Sequence, residues 1–227
     1  ADIGSYQDPE IVIHLAAQTS VRYSLEFPEL DAHDNILTTI FTAECAKKVG
    51  AKRFIFASSG GAVYGEGIRL TEQAPTEPTS PYGLSKLTCE KYLRMIAAPM
   101  DLTILRLANV YGSGGIGVVN AFAQCAKDGR MATVYGDGEQ TRDYIHASDV
   151  CDAFLKAIDG PVGTYNIGTS MAFSVNHLLT SMKLGAAHHP AIDGELRANS
   201  LDASKARLEL GWEYKIGLGT GIEELLK

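Results

Sequence analysis

The chain has 227 residues, 27 of them acidic and 20 basic, for a formal net charge of −7. Hydrophobic residues make up 45% and charged residues 21%, a folded globular composition sized for one large domain or a domain with a small lobe. Scattered lysines and arginines on an acidic chain argue against a nucleic-acid groove, and no apolar run nears the roughly 18 residues of a membrane span.

Short apolar runs alternate with longer helical patterns. Ile11 to Leu15 (IVIHL) reads as a buried strand. From Pro28 to Val49, Leu30, Ile36, Leu37, Ile40, Phe41, Ala43 and Cys45 form the stripe of an amphipathic helix, which Gly50 ends. Lys52–Ala57 is the next strand. Residues 58–81 are rich in Gly, Pro, Thr and Glu and too long for a plain connection, so a binding loop is expected there. Tyr82–Ala97 reads as a helix and Leu102–Leu107 as a third buried strand. A helix at Val118–Lys127, a strand at Ala132–Tyr135, a helix at Ala147–Ile158 and a strand at Gly163–Ile167 follow. Ser174 is placed to cap a helix reaching Leu184, and short helices at Ser204–Leu210 and Gly221–Leu226 close the chain.

Strand–helix alternation with unbroken apolar strands predicts an α/β fold, a doubly wound parallel sheet covered on both faces. Past Asp101 the alternation becomes irregular and the loops rich in Asn, Gly and Arg. A smaller C-terminal α/β lobe is therefore expected at the carboxyl ends of the strands, where open α/β sheets bind ligands. Cys45, Cys89, Cys125 and Cys151 lie far apart, each inside a helix-like pattern and with no CxxC pair, which predicts buried or half-buried free thiols in a reducing compartment. No secretory leader pattern stands at the first residues, so a soluble cytoplasmic protein is expected. His188-His189, before Pro190, reads as a solvated loop pair, and no metal site is expected.

The sharpest chemical signal is Tyr82-Gly83-Leu84-Ser85-Lys86. Tyrosine and lysine four apart share one helix face, and a nearby ammonium is expected to lower the phenol's pKa toward general acid/base use. The preceding strand runs into Phe56-Ala57-Ser58-Ser59-Gly60-Gly61, which puts serines at a strand's carboxyl end, in reach of a substrate oxygen beside that tyrosine. His14-Leu15-Ala16-Ala17-Gln18 leaves its strand through small residues, which let a flat ligand approach the backbone.

With IVIHLAAQTSV, FASSGGAVYGE, SPYGLSK, LRLANVYG, YGDGEQTRDYIHASDV, TYNIGT and LDASKARLELGW in order, nearly the whole chain resembles the extended short-chain dehydrogenase/reductase superfamily. Within it, the likeness is to nucleotide-sugar epimerases of the UDP-glucose 4-epimerase type. The resemblance implies a Rossmann-like sheet, NAD as cofactor, a UDP-sugar or other nucleotide sugar as substrate, and Ser59, Tyr82 and Lys86 as the catalytic set. It implies transient oxidation at C4 of the sugar and return of hydride to the other face. Leu15, Ala16, Ala17, Gln18, Ala57, Ser58, Ala108 and Val110 are then expected to line the cofactor with Tyr82 and Lys86. Ser59, Tyr82, Asn109, Val118, Val119, Val134, Tyr135, Arg142 and Glu195 are expected to bind substrate. On this division residues 1–115 hold a partial NAD-binding domain with the catalytic set. Residues 116–227 form mainly the nucleotide-sugar lobe, interleaved with the last sheet elements.

Related dehydratases and decarboxylases usually carry an acidic residue before the Val-Tyr-Gly turn. Here Gly60-Gly61-Ala62 carries no titratable group and Glu66 lies beyond the turn, which favours epimerisation, since no elimination needs an extra acid. Another enzyme of the superfamily, or a remnant that binds nucleotide sugar or a partner chain, are the alternatives. Two departures stand out. Ile192 and Glu195 occupy positions where the family usually has Arg and Asp. No GxxGxxG or GxGxxG turn opens the chain, and Asp2-Ile3 resembles the family's adenine-contacting segment. About 60 residues carrying the first βαβ unit are thus expected to be absent, leaving the sheet incomplete. Asn199 lies in a region that shapes the sugar pocket in relatives. The helices Pro28–Val49 and Tyr82–Ala97 are candidates for a homodimeric four-helix bundle.

Overall fold

A computed structural model describes residues 9–192 and 195–227, so Asp2-Ile3 and Asp193-Gly194 lie outside the described residues. Strand β1 (Ile11–His14) is followed by α1 (Val21–Glu26), α2 (Pro28–Ala32) and α3 (Thr38–Lys48), the last two joined through a π-type turn at His33–Leu37. Strand β2 (Arg53–Ser59) leads through α4 (Gly60–Val63) and β3 (Gly67–Leu70) to the long helix α5 (Pro81–Ile96). Next come β4 (Asp101–Leu107), β5 (Asn109–Tyr111), α6 (Val118–Lys127), β6 (Ala132–Tyr135), β7 (Thr141–Arg142) and β8 (Tyr144–His146). The remaining elements are α7 (Ala147–Asp159), β9 (Gly163–Ile167), β10 (Phe173–Ser174), α8 (Val175–Ser181), β11 (Ala186–His189), β12 (Ala198–Leu201), α9 (Ser204–Leu210) and α10 (Leu218–Leu226).

The main sheet runs β1-β2-β4-β9 and is parallel throughout. Alternation along β2 and β4 sends side chains to opposite layers. Ile55 and Leu105 pack with α7, α9 and Trp212, while Phe54, Phe56 and Ile104 pack with α3 and α5. Both faces are therefore buried, which is why these strands read as unbroken apolar runs. A third cluster of Tyr111, Val119, Phe122, Val134, Leu178 and Ile222 fills the smaller lobe. There the strands are short and pair across long distances, in a second sheet ordered β10-β7-β12-β3 and in the pairs β11-β6 and β5-β8.

Several expectations need correction. The 58–81 segment is not one loop: it holds α4 and β3, and β3 pairs with β12, which follows more than a hundred residues later. Its ladder partner is non-local and Arg69 sits at φ 53°, so no local periodicity marks it. The helix capped by Ser174 stops at Ser181 rather than Leu184. Lys183 adopts φ 50°, and the Leu184 amide bonds back to the Leu179 carbonyl, closing the helix without the glycine that signals such an end. His188-His189 lies in β11 rather than a loop, paired to β6 with both imidazoles exposed. Helix α1, six residues under a Ser20 cap, is too short to show a stripe. Cys45, Cys89, Cys125 and Cys151 are free thiols; the first three are buried or half-buried as expected, but Cys151, on the outer side of α7, is exposed.

Among the described residues no helix is long and apolar enough to cross a membrane.

Candidate active site

Helix α5 carries the tyrosine–lysine pair into the interior. Ser80 caps it, its hydroxyl accepting the Gly83 amide at 3.1 Å, and Pro81 supplies the preset first-turn geometry. Gly83 lets the helix approach α4, because a Cβ there would overlap the Ala62 carbonyl oxygen. Tyr82, Ser85 and Lys86 are consequently buried against the carboxyl end of β2.

The Lys86 ammonium is 4% exposed and donates to the Ala57 carbonyl at 3.0 Å. It stands 5.0 Å from the centroid of the Phe56 ring and 5.9 Å from that of Tyr82. Burial pulls its pKa down to about 8. For Tyr82 the expected lowering is reversed. Burial pushes the phenol up to about 12, the hydrogen bond with Ser59 opposes this, and Asp31 and Cys89 raise it further. Desolvation wins because Lys86 points to the Ala57 carbonyl rather than to the phenol oxygen, so Tyr82 rests as a neutral phenol.

Two buried polar networks hold this pair, and the sequence reading missed both. Glu90, one turn beyond Lys86, is fully buried and accepts Ser58 Oγ at 2.6 Å, Arg106 Nε at 2.9 Å and Arg106 Nη2 at 2.6 Å. Arg106 Nη1 donates to Tyr64 Oη at 2.8 Å, and Tyr64 donates to Asn166 Oδ1 at 2.8 Å. The chain of bonds thus ties α5 to β2, β4 and β9. Burial raises the Glu90 carboxyl, and Arg106 and Ser58 more than reverse it, holding it below its ordinary value. The second network centres on Asp31, also fully buried, which accepts Gln18 Nε2 at 2.7 Å, Ser85 Oγ at 2.7 Å and Asn35 Nδ2 at 2.9 Å. Asp31 and Glu90 carry no local signal that sets them apart from surface charges; only the strand and helix packing brings their donors together.

Of the expected cofactor-lining residues, Leu15 and Ala16 are exposed beyond β1, and Ala57 stands beside Lys86. The hydroxyl of Ser58 does not line this space. It turns inward to Glu90, as the alternation of β2 requires once Ser59 faces Tyr82. Gln18 is engaged by Asp31, and Ala108 packs in the core. Val110 lines a cavity of about 90 Å³ with Asn109, Tyr111, Gly117, Val118, Val119 and Tyr144. Tyr135 lines a second cavity of about 50 Å³ with Gly136, Gln140, Glu195 and Arg197. Val134 does not join it. Ala132 and Val134 face the core of the lobe while Tyr135 points the other way, as period-two alternation in β6 demands. Arg142 meets Glu195 at 3.6 Å, and burial pulls its guanidinium below the ordinary value. Asp143 is not its partner: it accepts Thr169 N and Oγ1 and the amides of Ser170 and Leu201, stitching the lobe together. Asn199 spends its amide on the Gly65 carbonyl at 2.6 Å.

His14, which ends β1 behind Lys86, is 5% exposed, stacks on Phe56 and bonds Thr39 Oγ1 at 3.1 Å. Burial, then Lys86, pulls its pKa to about 4. The unfolded chain binds this proton below about pH 6.5 and the folded one does not, so stability falls as pH drops from about 6.5 to about 4. Urea unfolding at pH 7 and pH 4.5 should show a loss of about 2–3 kcal/mol in the wild type from this group, absent in His14→Gln. Equal losses in both proteins would refute the assignment.

The model of the NAD dependent epimerase/dehydratase family matches residues 1–168. A UDP-glucose 4-epimerase of Mycolicibacterium smegmatis is 38% identical over 237 residues, covering 96% of this chain and 75% of that protein. The structure of a Thermotoga maritima UDP-glucose 4-epimerase with UDP-glucose superposes with a TM-score of 0.91 at 38% identity, covering 96% of this chain and 76% of that one. The Thermus thermophilus UDP-glucose 4-epimerase in complex with NAD gives 0.90 at 33% identity, again covering 96% and 76%.

Proposed function

The chain belongs to the NAD dependent epimerase/dehydratase family, and on that premise we propose that it is an NAD-dependent nucleotide-sugar 4-epimerase of the UDP-glucose/UDP-galactose type. The observation that carries this is the juxtaposition of Ser59, Tyr82 and Lys86 at the carboxyl end of β2, beside Gly60-Gly61-Ala62, which offers no second acid. The residues fit the nicotinamide end of NAD. Lys86 is a buried ammonium with one N–H given to protein among the described residues, at the Ala57 backbone carbonyl. When bound there, NAD would supply the acceptor and donor for the C4 hydride.

Tyr82 Oη moves the proton of the sugar 4-hydroxyl. Resting at about 12, it needs positive charge to hold the phenolate, and Lys86, one turn on and itself buried, is the charge the chain itself supplies. Ser59 orients the sugar oxygen at the phenol. We assign the diphosphate to Arg142, whose pairing with Glu195 keeps the buried guanidinium charged and in place until substrate arrives, with Asn109, Val118, Val119 and Tyr135 as further contacts.

We further propose residues 1–115 as the cofactor-binding part and 116–227 as mainly the nucleotide-sugar lobe. A cytoplasmic setting is supported by the four free thiols. A homodimer is supported by apolar side chains left outward on two helices, Leu37 at 57% and Phe41 at 55% exposure beside Leu84 at 56% and Met95 at 81%. Sedimentation should then give a dimer that Phe41→Glu converts to monomer; a wild type that sediments as monomer excludes it.

The activity itself is tested by proton NMR of UDP-galactose with the protein and NAD⁺. Growth of the UDP-glucose anomeric signal is expected. A 4-keto-6-deoxy product would assign a dehydratase instead, and an unchanged spectrum would count against catalysis by this chain.

A further inference from the structure

Glu90 and Asp31 are both fully buried beside the Tyr82–Lys86 pair, but only Glu90 is met by a guanidinium. The three donors on Asp31 are the amides of Gln18 and Asn35 and the hydroxyl of Ser85, and among the described residues no cation pairs with it. An ionised carboxylate out of water with only neutral partners costs more than an amide of the same shape would. Its position on α2 supplies a reason for it. Tyr82, Ser85, Lys86 and Cys89 recur at i, i+3, i+4 and i+7, so they share the buried face of α5. Ser85, between the tyrosine and the lysine, gives its hydroxyl to Asp31 Oδ2 at 2.7 Å. Gln18, on the segment leaving β1, meets Oδ1 at 2.7 Å.

We propose that Asp31 is a positioning residue for the Tyr82–Lys86 pair: it fixes α5 through Ser85 and supplies the buried counter-charge of the Lys86 ammonium. The assignment rests on the epimerase reading for what the ammonium does, and adds to it the anion that keeps it charged. Burial drives Lys86 toward the neutral amine, and its pKa stops at about 8 because negative charge opposes the fall. Cys89 and Asp31 are the two sources. Burial pushes the Cys89 thiol up, so it is uncharged where Lys86 titrates, and Asp31 carries the effect. The other charges around the pair do not substitute for it. His14 on β1, pulled to about 4, is neutral, and Glu90 is matched by Arg106 from β4. Glu44 and Lys47 on α3 pair with each other, and Arg22, Glu26, Glu29, His33 and Asp34 are exposed to water. The same carboxylate raises Tyr82, so at rest the pair holds one ammonium and one neutral phenol.

Asp31→Asn removes the charge and keeps the shape, with an oxygen to accept from Gln18 and Asn35 and an amide to donate to the Ser85 hydroxyl. Ser85→Ala keeps the charge and removes the tether. Lys86 is titrated in each protein without cofactor, by NMR of chains carrying carbon-13 lysine, its signal identified by its loss in Lys86→Arg. In Asp31→Asn the Lys86 midpoint is expected to fall by about half to one pH unit from the wild-type value of about 8, because loss of a nearby anion disfavours the cation. The alkaline limb of kcat should move down with it, and the unfolding temperature should stay within a few degrees of wild type. Ser85→Ala should leave the midpoint in place and lower kcat about threefold to tenfold, since a small misplacement of the pair is felt in the rate. An unmoved Lys86 midpoint in Asp31→Asn overturns the counter-charge, as does an alkaline limb that stays while the midpoint moves. An Asp31→Asn chain that fails to fold makes Asp31 a structural anchor and overturns it equally, and an unchanged kcat in Ser85→Ala removes the tether. A wild type without epimerase activity refutes the epimerase reading and leaves the lysine titration to decide the counter-charge.

Discussion

Replacing Tyr82 by phenylalanine is expected to lower kcat for C4 epimerisation about a hundred- to ten-thousand-fold, the usual worth of a positioned proton-transfer group. The substitution deletes the one oxygen that hydrogen-bonds Ser59 and leaves the ring packed between Ser59 and Lys86. The Kd for UDP, which lacks the sugar, should stay within twofold. Conversion of UDP-galactose to UDP-glucose, followed by NMR at saturating substrate, measures the first quantity and calorimetry the second. A variant within about threefold of wild type in kcat would remove Tyr82 from the chemistry. The deep burial of the phenol makes the expectation sharp. Ser85, its neighbour on the helix, is committed to Asp31 and is not free to take over the proton.

The largest expected loss of stability follows from Glu90→Ala. The carboxylate is fully buried and satisfies three donors from Ser58 and Arg106, while Arg94 reaches it at 3.2 Å. Removing it strands the Arg106 guanidinium, 5% exposed, in the core. Breaking one half of a buried pair costs about 3–5 kcal/mol, far more than the pair contributes over an apolar substitute. Denaturant unfolding should show that loss for Glu90→Ala, and the double variant Glu90→Leu with Arg106→Met should recover most of it. A single variant within about 1 kcal/mol of wild type would mean that water or rearrangement supplies a new partner. Because Glu90 follows Lys86 on α5 and also fixes Ser58, the same variant should disturb the placement of Tyr82 and Lys86 as well as the fold.

The sequence made the scaffold legible where local signals suffice. The apolar runs of β1, β2 and β4, the Ser80-Pro81 start of α5 and the Gly50 stop of α3 all declare themselves within a few residues. The tyrosine, lysine and serine at the strand end were legible as a spacing and as a motif. What escaped is what long-range geometry decides. Strands β3, β5, β7, β8 and β12 are two to four residues long and exist only through partners far along the chain. The pKa of Tyr82 was misread because proximity on a helix face says nothing of burial, and burial outweighs the ammonium here. Asp31 and Glu90 carried no warning at all. A buried carboxylate looks like a surface one until its donors are seen, and those donors come from residues 18, 35 and 85 in one case and 58 and 106 in the other.

Strand β9 bears on how the chain can be divided. Residues 163–167 complete the edge of the main sheet beside β4, with Leu107 opposite Ile167, yet they follow α6, β6, β7, β8 and α7 in the chain. The polypeptide leaves the sheet, builds half of the smaller lobe, returns to finish the sheet, and departs again to complete the lobe. A boundary near residue 115 can therefore separate roles but not folding units. Expressed apart, the first piece would present β4 as a bare apolar edge, and the second would carry β9 with nothing to pair against. Assembly must close a loop of more than fifty residues between β4 and β9 before β9 joins the sheet, a topology that links the sheet and the smaller lobe into one slow, cooperative folding event.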